Sequence, residues 1–163
     1  MTRIVLKLGG SVVTDKAGDC AIRADRIAAA AGEMAHRPGI QLVLVHGAGS
    51  CGHPQARHHR LDQGVPPGDI AGITRTHAAV ARLNAAVVEA LRASGREAVG
   101  IHPLCHCVAV GGRLRDPDWR VVELLLALGL TPVLHGDVVM DTARGASIVS
   151  GDQLVVSLAR ALS

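Results

Sequence analysis

The sequence contains no Phe, no Tyr and a single Trp among its 163 residues. Stacking platforms for single-stranded nucleic acid need aromatic faces, which argues against that class of partner. The core must then come from Val, Leu, Ile and Ala, which bury less area per residue than aromatics do. There is also no basic run. Seventeen Lys and Arg against fourteen Asp and Glu leave a net charge of +3, scattered along the chain. A mild excess of this kind reads as solvated surface, and no polyanion partner is expected. No apolar run approaches the ~20 residues of a membrane span, and Ile4-Val5-Leu6-Lys7 is too short a stretch for a signal peptide. Cys20, Cys51, Cys105 and Cys107 show no secreted-scaffold spacing. These absences point to a cytoplasmic chain with reduced cysteines and no membrane partner.

What is present is apolar and orderly. Hydrophobic residues make up 48% and charged residues 19%, a balance that excludes disorder and suits one domain over residues 1–163. Ile4 to Leu8 and Leu42 to Val45 are short, branched and almost continuously apolar, as strands of a helix-covered parallel sheet are. Between them a helix is expected from Ile22 to Arg37, ended by Pro38-Gly39. A second should run from about Ile70 to Ser94, because Ile73, Val80, Leu83, Val87 and Leu91 form one helical stripe. A strand over Ala98 to His102 is followed by a Gly-Gly hairpin from Cys107 to Arg115. A helix from Trp119 to Leu128, a strand from Thr131 to His135, a hairpin (Val138 to Met140, Ser147 to Val149) and a helix from Gly151 to Leu162 complete the pattern. Strands alternating with helices give an α/β fold with a mostly parallel sheet.

Three times an apolar strand runs into small residues: Lys7-Leu8-Gly9-Gly10-Ser11, His46-Gly47-Ala48-Gly49-Ser50-Cys51-Gly52-His53, and Ser150-Gly151-Asp152. In a parallel sheet such junctions share the carboxyl edge, where open α/β sheets bind ligands. Glycine lets a phosphate approach the backbone, and free N–H groups at helix starts attract anions. A site for two anions is expected there. The spacing is not that of the Walker loop, which needs Gly-Lys-Ser/Thr. Gly47 to Gly52 fits G-x-G-x-x-G formally, but Pro66-Pro67-Gly68 stands where a dinucleotide fold would place its acidic residue.

Five ordered blocks carry a resemblance. Residues 4–16 (Ile-Val-Leu-Lys-Leu-Gly-Gly-Ser-Val-Val-Thr-Asp-Lys), Val45 to Pro54, Thr76 to Asn84, Val133 to Val139 and Ile148 to Leu154 are similar to the motifs of isopentenyl phosphate kinases of the amino acid kinase superfamily. The resemblance implies a three-layer αβα fold and ATP-dependent phosphorylation of a small phosphate monoester, isopentenyl phosphate first. Phosphonate kinases of the fosfomycin type share part of the pattern and are the alternative. His53 after Gly52 separates this subfamily from N-acetylglutamate and carbamate kinases.

By that resemblance Lys7, Gly9, Gly10, Ser11 and Gly49 hold ATP phosphates, with Mg²⁺ carried by the nucleotide. Lys16 stabilises the transition state. Ala48, His53 and Gly151 contact the acceptor phosphate, and Asp152 orients a lysine or a magnesium-bound water. Lys7, Lys16 and His53 are the catalytic set, and no metal ligand is assigned. Asp137 and Asp141 read as turn residues. Cys105-His106-Cys107 on a strand would put both thiols on one face and the imidazole on the other, a poor zinc site.

Members of the family are longer, and their carboxyl half forms the adenine and ribose pocket. The chain therefore resembles an amino-terminal, acceptor-binding half that needs a homodimer partner or a separate nucleotide-binding half, a truncated product, or a non-catalytic binding module. The first two readings expect Leu154, Val155, Leu158 and Leu162 to lie open at an apolar edge. Cys51 stands where the family has Phe, and residues 61–70 depart from it.

Overall fold

A computed structural model describes residues 1–35, 38–61, 63–65 and 70–163. Arg37, the expected end of the first long helix, and Pro66-Pro67-Gly68 lie outside the described residues.

The central sheet has strand order β1-β4-β8-β5, all parallel: β1 Thr2–Leu8, β4 Ile40–His46, β8 Thr131–His135 and β5 Ala98–Gly100. Side chains alternate across a strand. In β4, Val43 and Val45 join Leu134 in a core covered by α5 (Arg120–Ala127) and α6 (Gly151–Ala161). Leu44 and Val133 face the opposite layer of α2 (Ala24–Glu33) and α4 (Ala71–Ala93), packed against Ile27, Leu83 and Leu91. The result is the expected αβα sandwich, and aliphatic side chains fill both layers save for one aromatic ring in the layer of α5 and α6. Trp119, the single large ring, is buried and donates its Nε1–H to Ser157 Oγ at 3.0 Å.

A second sheet, ordered β10-β9-β6-β7, stands beside the first. Its hairpins are β6 Val108–Val110 with β7 Arg113–Arg115, and β9 Asp137–Asp141 with β10 Gly145–Val149. Asp141 fastens both turns, accepting from the N–H groups of Gly111, Gly112, Ala143 and Arg144 and from Ser147 Oγ. Burial alone would raise its pKa, but these bonds outweigh it and hold the carboxyl well below its usual range. No helix among the described residues is long and apolar enough to cross a membrane.

Four expectations need correction. Cys20 and Cys51 form a disulfide, so the chain does not carry only reduced cysteines. The bridge joins the loop between β2 (Thr14–Asp15) and β3 (Ala21–Ile22) to the first turn of α3 (Gly49–His58). Spacing could not reveal it, because tertiary packing alone brings these two segments together. The same pair fills the room beneath the second glycine loop, with Cys51 buried and Cys20 packed against that core. Leu154, Leu158 and Leu162 are buried in the core rather than open, and Val155 is partly buried against it; the exposed large apolar residue of α6 is Val156, so the open apolar edge expected of a half or truncated kinase does not lie on these four residues. Cys105 lies in a 3-10 turn, Pro103–Cys105, and is exposed while Cys107 is buried, so the two thiols do not share a strand face. Asp137 is not a mere turn residue, as described below.

Candidate functional site

The ladder of the central sheet runs on into the glycine loops. Gly47 N–H donates to Leu8 O and Gly136 N–H to His46 O, each at 3.0 Å. The ends of β1, β4 and β8 therefore lie side by side, and their loops meet at one rim. The contact between the first two loops is backbone against backbone. A Cβ on Gly10 would fall 2.8 Å from Gly49 Cα, and one on Gly47 would fall 2.8 Å from Gly10 N. Gly49 has φ +52°, and a Cβ there would meet Thr14 Oγ1 at 2.0 Å. Only glycine fits. Thr14 closes the junction: its hydroxyl donates to Gly10 O and accepts from Ser50 N–H, both at 2.9 Å.

The third junction joins the same rim. Ser150 caps α6 by accepting from Gln153 N–H. A Cβ on Gly151 would lie 3.4 Å from His46 O and 3.5 Å from Lys7 Cε, and one on Gly136 would lie 3.4 Å from Gly151 N and 3.7 Å from Ala48 N. Lys7 Nζ is 2.8 Å from Asp152 Oδ1. The structure thus brings together Lys7, Gly9, Gly10, Ala48, Gly49, Gly151 and Asp152. In the first turns of α3 and α6 the N–H groups of Ser50, Cys51 and Gln153 already donate to Thr14 Oγ1, Ala48 O and Ser150 Oγ, while those of Gly49, Gly151 and Asp152 stand at the helix starts, where no intrahelical acceptor exists; the side chain of Ser50 is buried with its Oγ unpartnered. The rim presents backbone donors and one cation, the groups that an anion would need.

Lys16 and His53 stand further out. Lys16 is exposed on the β2–β3 loop and His53 is exposed in the first half of α3, and the ion pair of the rim is made by Lys7 and Asp152 without them. The disulfide holds their two segments together. Ser11 is exposed in the short α1, Gly10–Val13.

Beneath the rim lies a group that sequence reading missed. His46 and His135 are inaccessible and stack at 5.6 Å between centroids. Nε2 of His135 is 2.9 Å from Nδ1 of His102, and His77 Nδ1 is 2.9 Å from the buried Asp137 Oδ2. Burial is the main cause that holds His46, His102 and His135 below the usual imidazole range. It also lifts Asp137 to about 6, against the lowering by His77. Cys107, beside this group, is pushed by burial and then by Asp137 to about 12, so its thiol is inert. A histidine ending each of two buried strands, just before glycine, was the available signal. Thr14, a β-branched polar residue after the Gly-Gly turn, gave none.

A parallel sheet covered by helices on both faces, with glycine loops and a Lys–Asp pair gathered at the carboxyl ends of its strands, defines an open α/β protein whose ligand edge is that rim. The chain belongs to the amino acid kinase family, whose model matches residues 2–163. It is 42% identical over 167 residues to isopentenyl phosphate kinase of Haloferax volcanii and 38% identical over 160 residues to that of Methanothermobacter thermautotrophicus. These alignments cover 99% and 93% of the chain, and it spans 66% and 60% of the two relatives' lengths. Among solved structures, one of isopentenyl phosphate kinase superposes with TM-score 0.89 at 36% identity, over 99% of this chain and 69% of that one. The aspartate kinase of Synechocystis, at 22% identity and TM-score 0.68 over 97% of this chain and 26% of that one, shares the fold.

Proposed function

We propose that residues 1–163 are the amino-terminal, acceptor-binding part of a kinase that transfers a phosphoryl group from ATP to isopentenyl phosphate, giving isopentenyl diphosphate. The observation that carries this reading is the convergence of three strand-end loops on the Lys7–Asp152 pair, in a chain 38–42% identical to proteins of that activity.

The acceptor is itself a phosphate monoester, an anionic nucleophile that needs no general base. The difficulty is charge, because two polyanions must meet in line. Lys7 neutralises part of that charge, and Asp152, 2.8 Å away, fixes where the ammonium sits. Gly9, Gly10, Ser11 and Gly49 suit the nucleotide phosphates: Gly10 and Gly49 pack backbone against backbone where the two loops meet, and backbone N–H groups at such strand-end loops attract anions. ATP, when bound, supplies the transferred group. Mg²⁺ would arrive with the nucleotide and offset the charge on its phosphates. Ala48 N–H, Gly151 N–H and His53 hold the acceptor phosphate, His53 by donating a hydrogen bond. Lys16 comes in from the β2–β3 loop to stabilise the transition state. A nucleotide-binding half, on the same or a partner polypeptide, takes the adenosine.

The experiment titrates the chain separately with isopentenyl phosphate and ATP, and repeats this for His53→Ala. The variant should lose about tenfold or more in acceptor affinity, the scale of one hydrogen bond to a charged group, with ATP affinity unchanged. In the active kinase, Lys16→Ala should lower kcat more than it raises either KM. Equal losses toward both ligands for His53→Ala, or an unaltered kcat for Lys16→Ala, would withdraw the respective role.

A further inference from the structure

His46 and His135 end β4 and β8 in register, and no step above uses their side chains. Each makes the same contact. Nδ1 of His46 lies 3.1 Å from the carbonyl oxygen of Gly47, and Nδ1 of His135 lies 3.2 Å from that of Gly136. A carbonyl oxygen can only accept, so both Nδ1 atoms carry a proton. Burial keeps both rings neutral, which leaves each Nε2 with a lone pair. For His135 that lone pair accepts from His102 Nδ1. For His46 it faces the side-chain amide of Asn84, whose Oδ1 lies 3.0 Å away. Rotating that amide brings its NH₂ to the ring, the two orientations being nearly equivalent in shape.

This arrangement acts on the rim through the peptide unit. A trans peptide is planar, so its C=O and N–H point in opposite directions. Drawing the Gly47 carbonyl down onto His46 turns the Ala48 N–H away from the ring; Ala48 N lies 3.7 Å from where a Cβ of Gly136 would stand. No backbone acceptor for that N–H exists among the described residues.

We infer that His46 is a positioning residue for the acceptor phosphate, with His135 stacked beside it: its Nδ1–H holds the Gly47 carbonyl and so aims the Ala48 N–H at a phosphate oxygen. The inference rests on the acceptor site proposed above. A plain packing role is the competitor, and the two make opposite predictions. The side-chain nitrogen of Asn falls near imidazole Nδ1, whereas that of Gln falls near Nε2.

The full chain and its His46→Asn and His46→Gln variants are titrated with inorganic phosphate, with thermal midpoints measured alongside. His46→Asn should bind within about twofold of the wild type. His46→Gln, closer to histidine in volume, should bind about tenfold weaker, one oriented N–H to a charged group being lost. Long-range ¹H–¹⁵N spectra of the wild type should place the His46 proton on Nδ1, and its Ala48 amide resonance should move on adding phosphate. The reverse order of variants, equal affinities, an Nε2–H tautomer or a still Ala48 resonance would each overturn the positioning role while leaving the acceptor site in place. Wild-type protein that binds neither inorganic nor isopentenyl phosphate would remove the site and this role together. Should neither variant fold, the two wild-type spectra decide the question.

Discussion

Adding one methyl group at Gly10 tests whether the two glycine loops form one site. The Cβ of Gly10→Ala would lie 2.8 Å from Gly49 Cα and 2.9 Å from Gly49 N. Carbon atoms rest at about 3.5–4.0 Å, so the loops must part by roughly 0.7 Å or more. Both neighbours are backbone, and no flexible side chain can swing aside. Overpacking of this kind costs about 1–3 kcal/mol, which for a domain of this size lowers Tm by roughly 2–12 °C. The loss of function should be larger than the loss of stability, because a misplacement approaching 1 Å at a positioned site costs on the order of 100-fold. Gly32→Ala is the control. It sits in α2 with nothing within 4 Å of its Cβ position, and should gain about 0.5–1 kcal/mol from reduced backbone freedom. Calorimetry gives both midpoints, and titration with isopentenyl phosphate and with ATP gives the affinities. Gly10→Ala that melts and binds like the wild type would refute the contact between the loops, and with it the shared rim.

Reducing the Cys20–Cys51 bridge, which closes a sequence separation of 31 residues, should cost roughly 3–4 kcal/mol by loop-closure entropy and lower Tm by about 10 °C. Cys20→Ser should show the same loss without reductant, while Cys105→Ser, at an exposed thiol, should not; a midpoint indifferent to reductant would show the bridge to be absent. Stability should also fall on acidification below about pH 6.5. His46, His102 and His135 are held below their ordinary values, mainly by burial, so the unfolded chain binds more protons there, at about 1.4 kcal/mol per pH unit for each proton of difference. Asp137, raised to about 6, works in the opposite sense and loses its contribution as pH rises from about 4 to 6, so it softens the fall without reversing it. Thermal midpoints from pH 4.5 to 8 read this directly, and a midpoint that climbs toward pH 4.5 would contradict the burial of the imidazoles.

What could be read from the sequence separates along one physical line. Continuous branched apolar runs mark a strand buried on both faces, so Leu42 to Val45 announced the central sheet. The stripe from Ile73 to Leu91 announced α4 to within a residue or two at each end. Gly9-Gly10, Gly47-Ala48-Gly49 and Gly151 were legible because a glycine after a strand is a local signal and parallel order gathers strand ends at one edge. The unread features depend on which residues meet across the fold. Cys20 reaches Cys51 only after the β2–β3 loop folds against α3, and His46 meets His135 only because β4 pairs with β8 in that register. The same distinction explains how the site is built. The loops that face solvent are made of glycine because a ligand must come close. The groups that fix their orientation, Thr14 and the imidazoles, must lie behind them, out of water, where a single hydrogen bond to a carbonyl holds a peptide in one attitude. Such a residue leaves no periodicity and no motif of its own. Its trace is a buried polar side chain at the last position of an apolar strand, and in β4 and β8 that position is histidine both times.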